Sequence, residues 1–495
     1  MAGSNSRRTV GALPDTTAES PLVPVAATWL VWALFAASVA ALVTWTRLDG
    51  AWEVGGLVAV DGLTVLMWVV VTFFSGVVHS YSRRYMTGSH HESTFFATVF
   101  AFTVVVLALV AADHVVLFGG LWLAMGLLMA NLIGTVDGWP QAQAAAAVAR
   151  RYFLASSALL GVALATLWWT TDATTITGIT DATAATSGPA WLLAAGALVL
   201  AAMIQSALVP FQKWLLSSMT APTPASALMH AGFVNAGGIL LVRFAPVLTV
   251  ETTVMYAIVA VGGASAIAGK LLKSVQADVK GKLGSSTVGQ MGFMLMQAGL
   301  GFFAAAITHL VLHGFYKAYQ FLSSGEQVER TTPSETTPHT VGRLQSVVGA
   351  TVAILTGLAG GALFAVLTGK GAALDSGLLL TFFVTFTTLH AARSAVNHAS
   401  LSPTARYAAV PLVFFPAILV YTVVCQAISG LLAIGAVTTE LTAVHVAIAV
   451  VFVGIYVGIE TGVHEQSRRL YVALLNATQP DSDTLLTASE DYNEY

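Results

Sequence analysis

Residues 218–238 read SMTAPTPASALMHAGFVNAGG, and this stretch lies among long apolar runs. It carries two prolines, Pro222 and Pro224, a histidine, His230, an asparagine, Asn235, and three glycines. In hydrocarbon every backbone polar group must find its partner within the protein. A polar, proline-broken helix at that depth is costly, and function is the usual reason to keep one. Pro222 and Pro224 suit a first helical turn, where a missing N–H costs little. Small residues around His230 let neighbouring helices approach closely.

The surrounding chain fits that reading. Of 495 residues, 56% are hydrophobic and 9% charged, whereas a soluble domain carries about 25% charged residues. So few charges cannot cover a water-facing surface, and the chain is expected to be a polytopic membrane protein. One cysteine, Cys425, excludes an internal disulfide and four-thiolate iron–sulfur ligation. The N-terminal tail is polar and the first apolar run is long enough to span, so no cleavable signal peptide is expected.

Apolar runs of about 20 residues predict an all-α bundle of about fourteen transmembrane helices. They cover 24–46, 57–79, 95–112, 114–134, 150–169, 189–208, 222–246, 252–273, 284–304, 304–324, 344–368, 376–396, 408–436 and 442–460. The loop 170–188 is expected outside the membrane. One membrane domain, 24–464, is flanked by tails 1–23 and 465–495. Lysine and arginine concentrate in alternate connections: Arg7 and Arg8, Arg83 and Arg84, Arg150 and Arg151, Lys213, the set Lys270, Lys273, Lys280 and Lys282, Arg330 and Arg343, Arg393 and Arg406, then Arg468 and Arg469. Only Arg47, Arg243 and Lys370 fall at the opposite ends, and Lys317 falls inside a span. The positive-inside rule then places both termini in the cytoplasm of a multi-pass cell-membrane protein.

Ionisable groups within spans are costly and usually functional. In ITHLVLHGFYKAYQF, residues 307–321, His309, His313 and Lys317 recur every four positions and form one helical stripe. Imidazoles exchange protons near neutral pH, and an amine held away from water is a switchable charge. Such a stripe suits proton transfer through intervening waters. The structural alternative is a snorkelling lysine with histidines bonded to backbone carbonyls. His230 alone would serve equally to hydrogen-bond a neighbouring helix, but its proline- and glycine-rich setting favours a place on a proton path.

Three further segments bear on transport. MIQSALVPFQKWLLSSM, 203–219, places Pro210 after an apolar run, with Gln205 before the expected kink and Lys213 beyond it. Proline frees carbonyls to face water or a cavity, and polar breaks of this kind build transporter sites. Lys213 fits equally well as an ordinary cytoplasmic charge. VQADVKGKLGSSTVGQMGF, 275–293, opens a span with Asp278, Lys280 and Lys282. The pair Gly360–Gly361, followed by Lys370, predicts another weakened helix with a charge at its outer end. His79, Asp113, His114, His390, His398, His445 and Glu460 fall at span ends, where solvated interfacial roles are expected, and the tryptophans are expected in interface belts. The sequence holds no P-loop, no metal-ligand spacing, no nucleophile elbow and no basic nucleic-acid patch.

VPFQKWLLSSMTAPTPASALMHAGFVNAGGILLVRFAPVL, 209–248, resembles the signature of the antiporter-like membrane subunits of respiratory complex I and of Mrp-type cation/proton antiporters. ADVKGKLGSSTVGQMGFMLM, 277–296, and HLVLHGFYKAYQFLSSG, 309–325, resemble that family's paired downstream helices. The resemblance covers roughly 203–325. It implies two inverted repeats containing broken helices, and by position it makes His230, Lys280, His309, His313 and Lys317 the central proton relay. The chain departs from the family in LFGGLWLAMGLLMANLIG, 117–134, which lacks the usual glutamate, and at Gln205, which stands where the family has lysine. Lys213 is a candidate replacement cation. These departures are most similar to the branch of DabB-type subunits of two-component inorganic-carbon transporters. That likeness implies bicarbonate/CO₂ accumulation driven by a proton gradient, with sodium as the alternative ion. It also implies a large cytoplasmic DabA-type zinc partner resembling carbonic anhydrase, and no cofactor in this chain.

Overall fold

The computed structural model describes residues 22–48, 50, 52–185, 188–325, 343–397, 403–432, 434–460, 462 and 466–479. Arg7, Arg8, Arg330 and His398 lie outside the described residues. The first helices are α1 (Leu22–Leu48), α2 (Gly62–Tyr85), α3 (Glu92–Ala111), α4 (Val115–Ile133), α5 (Pro140–Thr171), α6 (Ile176–Asp181) and α7 (Pro189–Gln205). The central ones are α8 (Lys213–Ser217), α9 (Thr223–Ala231), α10 (Ala236–Arg243), α11 (Ala245–Thr249), α12 (Thr252–Ser274), α13 (Val279–Gly299) and α14 (Phe303–Leu322). Then come α15 (Arg343–Thr368), α16 (Ser376–Asn397), α17 (Pro403–Leu431), α18 (Ala443–Glu460) and α19 (Arg468–Thr478). A small antiparallel hairpin, β1 (Trp52–Val54) and β2 (Val58–Val60), joins α1 to α2.

Each of the fourteen expected segments holds a helix. Among the described residues nine stretches are both long and apolar enough to cross a bilayer. Helices α13, α14 and α16 have spanning length, at 21, 20 and 22 residues, but carry more polar side chains. The boundary near residue 304 resolves into a turn at 300–302. The expected segment at 222–246 is the most enclosed: 89% of its apolar window is buried, against 22% for α1 and for α17. It is thus the centre of the bundle, packed on α2 and α14. Exposed side chains such as Trp29, Trp169, Val366, Leu412 and Val450 face outward from α1, α5, α15, α17 and α18, as a lipid-facing surface requires.

Helices α12 and α13 meet backbone to backbone. A Cβ added at Gly269 would sit 2.2 Å from the Gly289 nitrogen, and one at Gly292 would sit 2.5 Å from the Ala266 nitrogen. This small-residue seam substitutes van der Waals contact for a hydrophobic drive that lipid does not supply. The same physics corrects the expectation at Gly360–Gly361. Helix α15 runs through both without a break. A Cβ at Gly361 would collide with the Thr385 side chain on α16, so these glycines serve close packing and not helix interruption.

Two interruptions do occur. The first follows α7, where the chain leaves the helix at Ser206, carries Ala207 at φ 53° and a cis Val209–Pro210 bond, and resumes at Lys213. The freed groups are bonded internally. Trp214 Nε1–H donates to the Ile204 carbonyl at 2.8 Å, Ser206 Oγ–H to the Val234 carbonyl at 2.7 Å, and Val209 N–H to Ser265 Oγ at 3.2 Å. The expectation that proline would turn carbonyls toward water is corrected for Ile204, whose carbonyl is taken by an indole. The second interruption lies between α9 and α10, at Gly232 and the 3-10 turn Phe233–Asn235. Pro222 and Pro224 flank the first residue of α9, as their preference for a first turn predicts.

Candidate functional site

The helix break at Gly232 leaves His230 in the last turn of α9, fully buried. Its ring stacks on Phe321 of α14 at 4.4 Å between centroids. Its Nδ1 lies 3.0 Å from Thr287 Oγ1 on α13. Thr287 Oγ–H in turn donates to the Leu283 carbonyl at 3.0 Å, and the same carbonyl accepts from Lys317 Nζ of α14 at 2.9 Å. Lys317 also donates to Ser286 Oγ. One carbonyl on α13 thereby joins the α9 imidazole to the α14 amine through a hydroxyl.

Lys317 is completely buried and His313 is 5% exposed. The His309 and His313 rings stand 6.0 Å apart and nearly parallel, so the stripe expected from their spacing exists on α14. Neither nitrogen of His313, nor Nε2 of His230 or of His309, has a hydrogen-bond partner. A buried imidazole left this way is expensive unless it exchanges protons with water or a neighbour. Lys280, in the first turn of α13, donates to the carbonyls of Met219 and Ala221 at 3.3 and 3.0 Å. It ties α13 to the turn that leads into α9.

Two expected members stand apart. Lys213 is exposed at the start of α8. Gln205 ends α7, is 1% exposed, and its Nε2 has no partner. Several span-end assignments are corrected. His79 is fully buried within α2, its Nδ1 2.8 Å from the Ser75 carbonyl, because α2 extends to Tyr85 and keeps it inside the bundle. His445 is buried at the start of α18, with Nδ1 3.1 Å from Thr442 Oγ1. Asp113 is 7% exposed and accepts from Thr177 N–H and Oγ–H, both at 2.9 Å. Lys270 lies within α12, not in a loop, 3.4 Å from His390 of α16 and over the Tyr456 ring of α18. Trp122, Trp191 and Trp214 are core residues, so the interface-belt expectation is corrected for these three, whereas Trp29 and Trp169 are exposed.

Ser286 and Thr287 lie in the quoted stretch 275–293, and no pattern in it marks their contacts with Lys317 and His230, which depend on α9 and α14 lying opposite. Sequence reasoning missed Asp61 entirely. Asp61 caps α2 through Thr64 N–H at 2.8 Å and pairs with Arg243 at the end of α10. Arg243 also donates to Thr64 Oγ1 and to the Val110 carbonyl, pinning the broken helix to α2 and α3. Among the described residues no group of three His, Cys, Asp or Glu could hold a metal ion.

An interrupted central helix, crossed by a helix bearing a buried His–His–Lys stripe, defines an antiporter-like membrane subunit. The family model described as NADH:quinone oxidoreductase/Mrp antiporter, TM, matches residues 112–390, and that for the NADH-ubiquinone oxidoreductase (complex I), chain 5 N-terminus, matches 50–96. The chain belongs to this NADH:quinone oxidoreductase/Mrp antiporter family of multi-pass membrane proteins, a family of transporter and antiporter-like subunits. It is 37% identical over 302 residues to the probable inorganic carbon transporter subunit DabB1 of Halothiobacillus neapolitanus, covering 60% of this chain and 54% of the relative. It is 32% identical over 343 residues to the probable DabB of Bacillus anthracis, covering 69% and 65%. It is also 35% identical over 289 residues to NADH-quinone oxidoreductase subunit L of Mycobacterium tuberculosis, covering 57% and 45%. The chain thus spans between about half and two thirds of the length of these relatives. The solved Mrp complex of Dietzia sp. DQ12-45-1b superposes over 92% of this chain and 57% of its own, with TM-score 0.61 and 20% identity. At that identity the likeness is one of fold.

Proposed function

We propose that this chain is the proton-conducting membrane subunit of an inorganic-carbon (bicarbonate/CO₂) transporter. Protons pass along His309, His313 and Lys317, cross through intervening water to His230, which Thr287 positions, and exchange with the cytoplasmic side near Lys280. The gradient so released energises a large cytoplasmic DabA-type partner, which holds the zinc and performs the carbon chemistry. Residues 24–464 act as one domain in the cell membrane, with both termini cytoplasmic. The observation that carries the reading is the buried link from His230 through Thr287 and the Leu283 carbonyl to Lys317. The Leu283 carbonyl only accepts, so this link holds the Lys317 amine and the Thr287-bound His230 imidazole near each other, and the proton itself crosses through intervening water. The relatives named as inorganic carbon transporter subunits support the choice of substrate. The absent glutamate on α4 and the presence of Gln205 weigh against an Mrp-type antiporter or a quinone-linked membrane arm.

The test is reconstitution with the candidate zinc partner in vesicles containing a pH-sensitive dye. Proton entry and partner-dependent bicarbonate uptake are expected to fall together in His230→Ala and Lys317→Ala. Uptake that tracks sodium at fixed pH and membrane potential would assign the gradient to sodium. Full uptake by either variant would remove that residue from the path.

A further inference from the structure

At the end of the bundle opposite the lysine-rich loops, the chain forms a closed rim. Val437 N–H donates to the Gly301 carbonyl at 3.1 Å, Leu441 N–H to the Leu374 carbonyl at 3.1 Å, and the backbones of Asp375 and Glu440 pair as an isolated antiparallel β-bridge. Beneath it lies a cavity of about 180 Å³ lined by Phe302, Ala305, Thr368, Lys370, Cys425 and Gln426, among others. A water occupies roughly 30 Å³ of liquid volume, so the cavity has room for several. Lys370 stands at its mouth with Nζ 4.6 Å from the centre of the Phe302 ring.

The walls of this cavity lead to the relay. Ala305 is one helical turn from His309 on α14, and Cys425 is one turn from Tyr421 on α17. The Tyr421 hydroxyl accepts from Gln297 Nε2 of α13 at 3.2 Å. Gln297 is 1% exposed and its Oε1 has no partner. Phe293, one turn away on the same face of α13, packs on the His309 ring at 5.6 Å. Gln297 is therefore a buried amide on the α13 face that meets His309, placed between the cavity and the first histidine of the stripe.

We propose that the outer entrance to the His–Lys relay is this cavity between α14, α15 and α17, with the Gln297–Tyr421 pair as its innermost link. Water or hydronium enters past Lys370, whose ammonium, with Asp375 and Glu440 on the rim, sets the local charge. Water held by the Gln297 amide oxygen and the Tyr421 hydroxyl then carries the proton to His309. The proposal rests on the proton-relay reading above, and it places the entrance on residues that reading does not use.

Cys425 is the only cysteine in the chain, so it reports on the cavity without engineering. The full chain, in sealed vesicles of known orientation with its partner present, is exposed to a membrane-impermeant cationic thiosulfonate from one side at a time. Reaction of Cys425 is expected only from the side opposite the lysine-rich loops. Proton flux is then expected to fall about tenfold and to recover when dithiothreitol removes the adduct, as for loss of one hydrogen-bonded link. Gln297→Leu is expected to lower flux by a similar factor, while Gln297→Glu, which keeps a hydrogen-bonding oxygen, retains most of it. Labelling only from the lysine-rich side, no labelling from either side, or full flux through the labelled chain would each overturn the proposal. If Gln297→Leu does not fold, the thiol experiment decides alone. A wild-type chain that carries no protons overturns the relay reading instead, and Cys425 labelling, which needs no flux, still decides where the cavity opens.

Discussion

Lys317→Met separates a functional lysine from a structural one. The Lys317 amine is fully buried, and its hydrogen-bond partners are neutral: the Leu283 carbonyl and the Ser286 hydroxyl. Methionine has similar length and leaves neither group stranded. Leu283 O still accepts from Thr287 Oγ–H at 3.0 Å, and Ser286 Oγ–H donates to the same carbonyl at 3.1 Å. Burying an amine with no counter-charge is costly, and an apolar side chain of like volume removes that cost. The thermal midpoint in detergent is therefore expected to hold or rise. The relay loses a hydrogen bond to a charged group, worth about 1.5–3 kcal/mol, and at 1.36 kcal/mol per decade that is about ten- to a hundredfold in proton flux. Lys317→Arg is the companion variant. Guanidinium keeps the charge but does not release its proton in proteins, so flux is expected to fall as far as in Lys317→Met. Dye-loaded vesicles measure the flux, and a melting curve measures the stability. A Lys317→Met chain that melts several degrees early yet conducts normally would refute the argument, because the lysine would then be a packing element.

Thr287→Val keeps the side-chain shape but leaves His230 Nδ1 unpaired; it is expected to cost about 1–3 kcal/mol and to reduce flux, with Thr287→Ser restoring both, as checked by melting and dye assays. Asp61→Ala removes the α2 cap and the partner of Arg243. Its expected cost is about 2 kcal/mol, dominated by the cap because the pair is partly exposed, and Asp61→Asn should recover most of it in a melting curve. Gly269→Ala forces a methyl against the Gly289 backbone, so the α12–α13 seam must open; a loss of about 1–3 kcal/mol and a lower yield of folded chain are expected, measured by melting and size-exclusion chromatography.

The helices were legible because hydrocarbon imposes one local rule, an apolar run of spanning length, that does not depend on the partner. The His309–His313–Lys317 stripe was legible for a similar reason: helical period alone puts the three on one face. What periodicity does not encode is which helix lies opposite. The link through Thr287 and Leu283 needs α9, α13 and α14 to converge, and the Asp61–Arg243 pair joins residues 182 positions apart. Gly360 and Gly361 misled because glycine weakens an isolated helix but strengthens one that must touch its neighbour, and only the position of α16 separates the two cases. His79 reads as a span-end group because a hydropathy window closes at polar residues, whereas α2 continues six residues past it.

The two helix breaks carry different work. At the first, the Ile204 carbonyl is taken by Trp214 and the Val209 N–H by Ser265, the Ser206 hydroxyl donates across to the Val234 carbonyl, and the residue beside it, Gln205, cannot titrate. At the second, the break at Gly232 leaves a titratable ring, His230, with one nitrogen on Thr287 and the other unpartnered. The first break is thus a bonded joint that fixes how α7 meets α10 and α12, and the second holds an exchangeable proton. On the proposed relay, charge movement is concentrated in α9, α13 and α14. The proposed relay accordingly uses the second break, while the first break offers only the amide of Gln205.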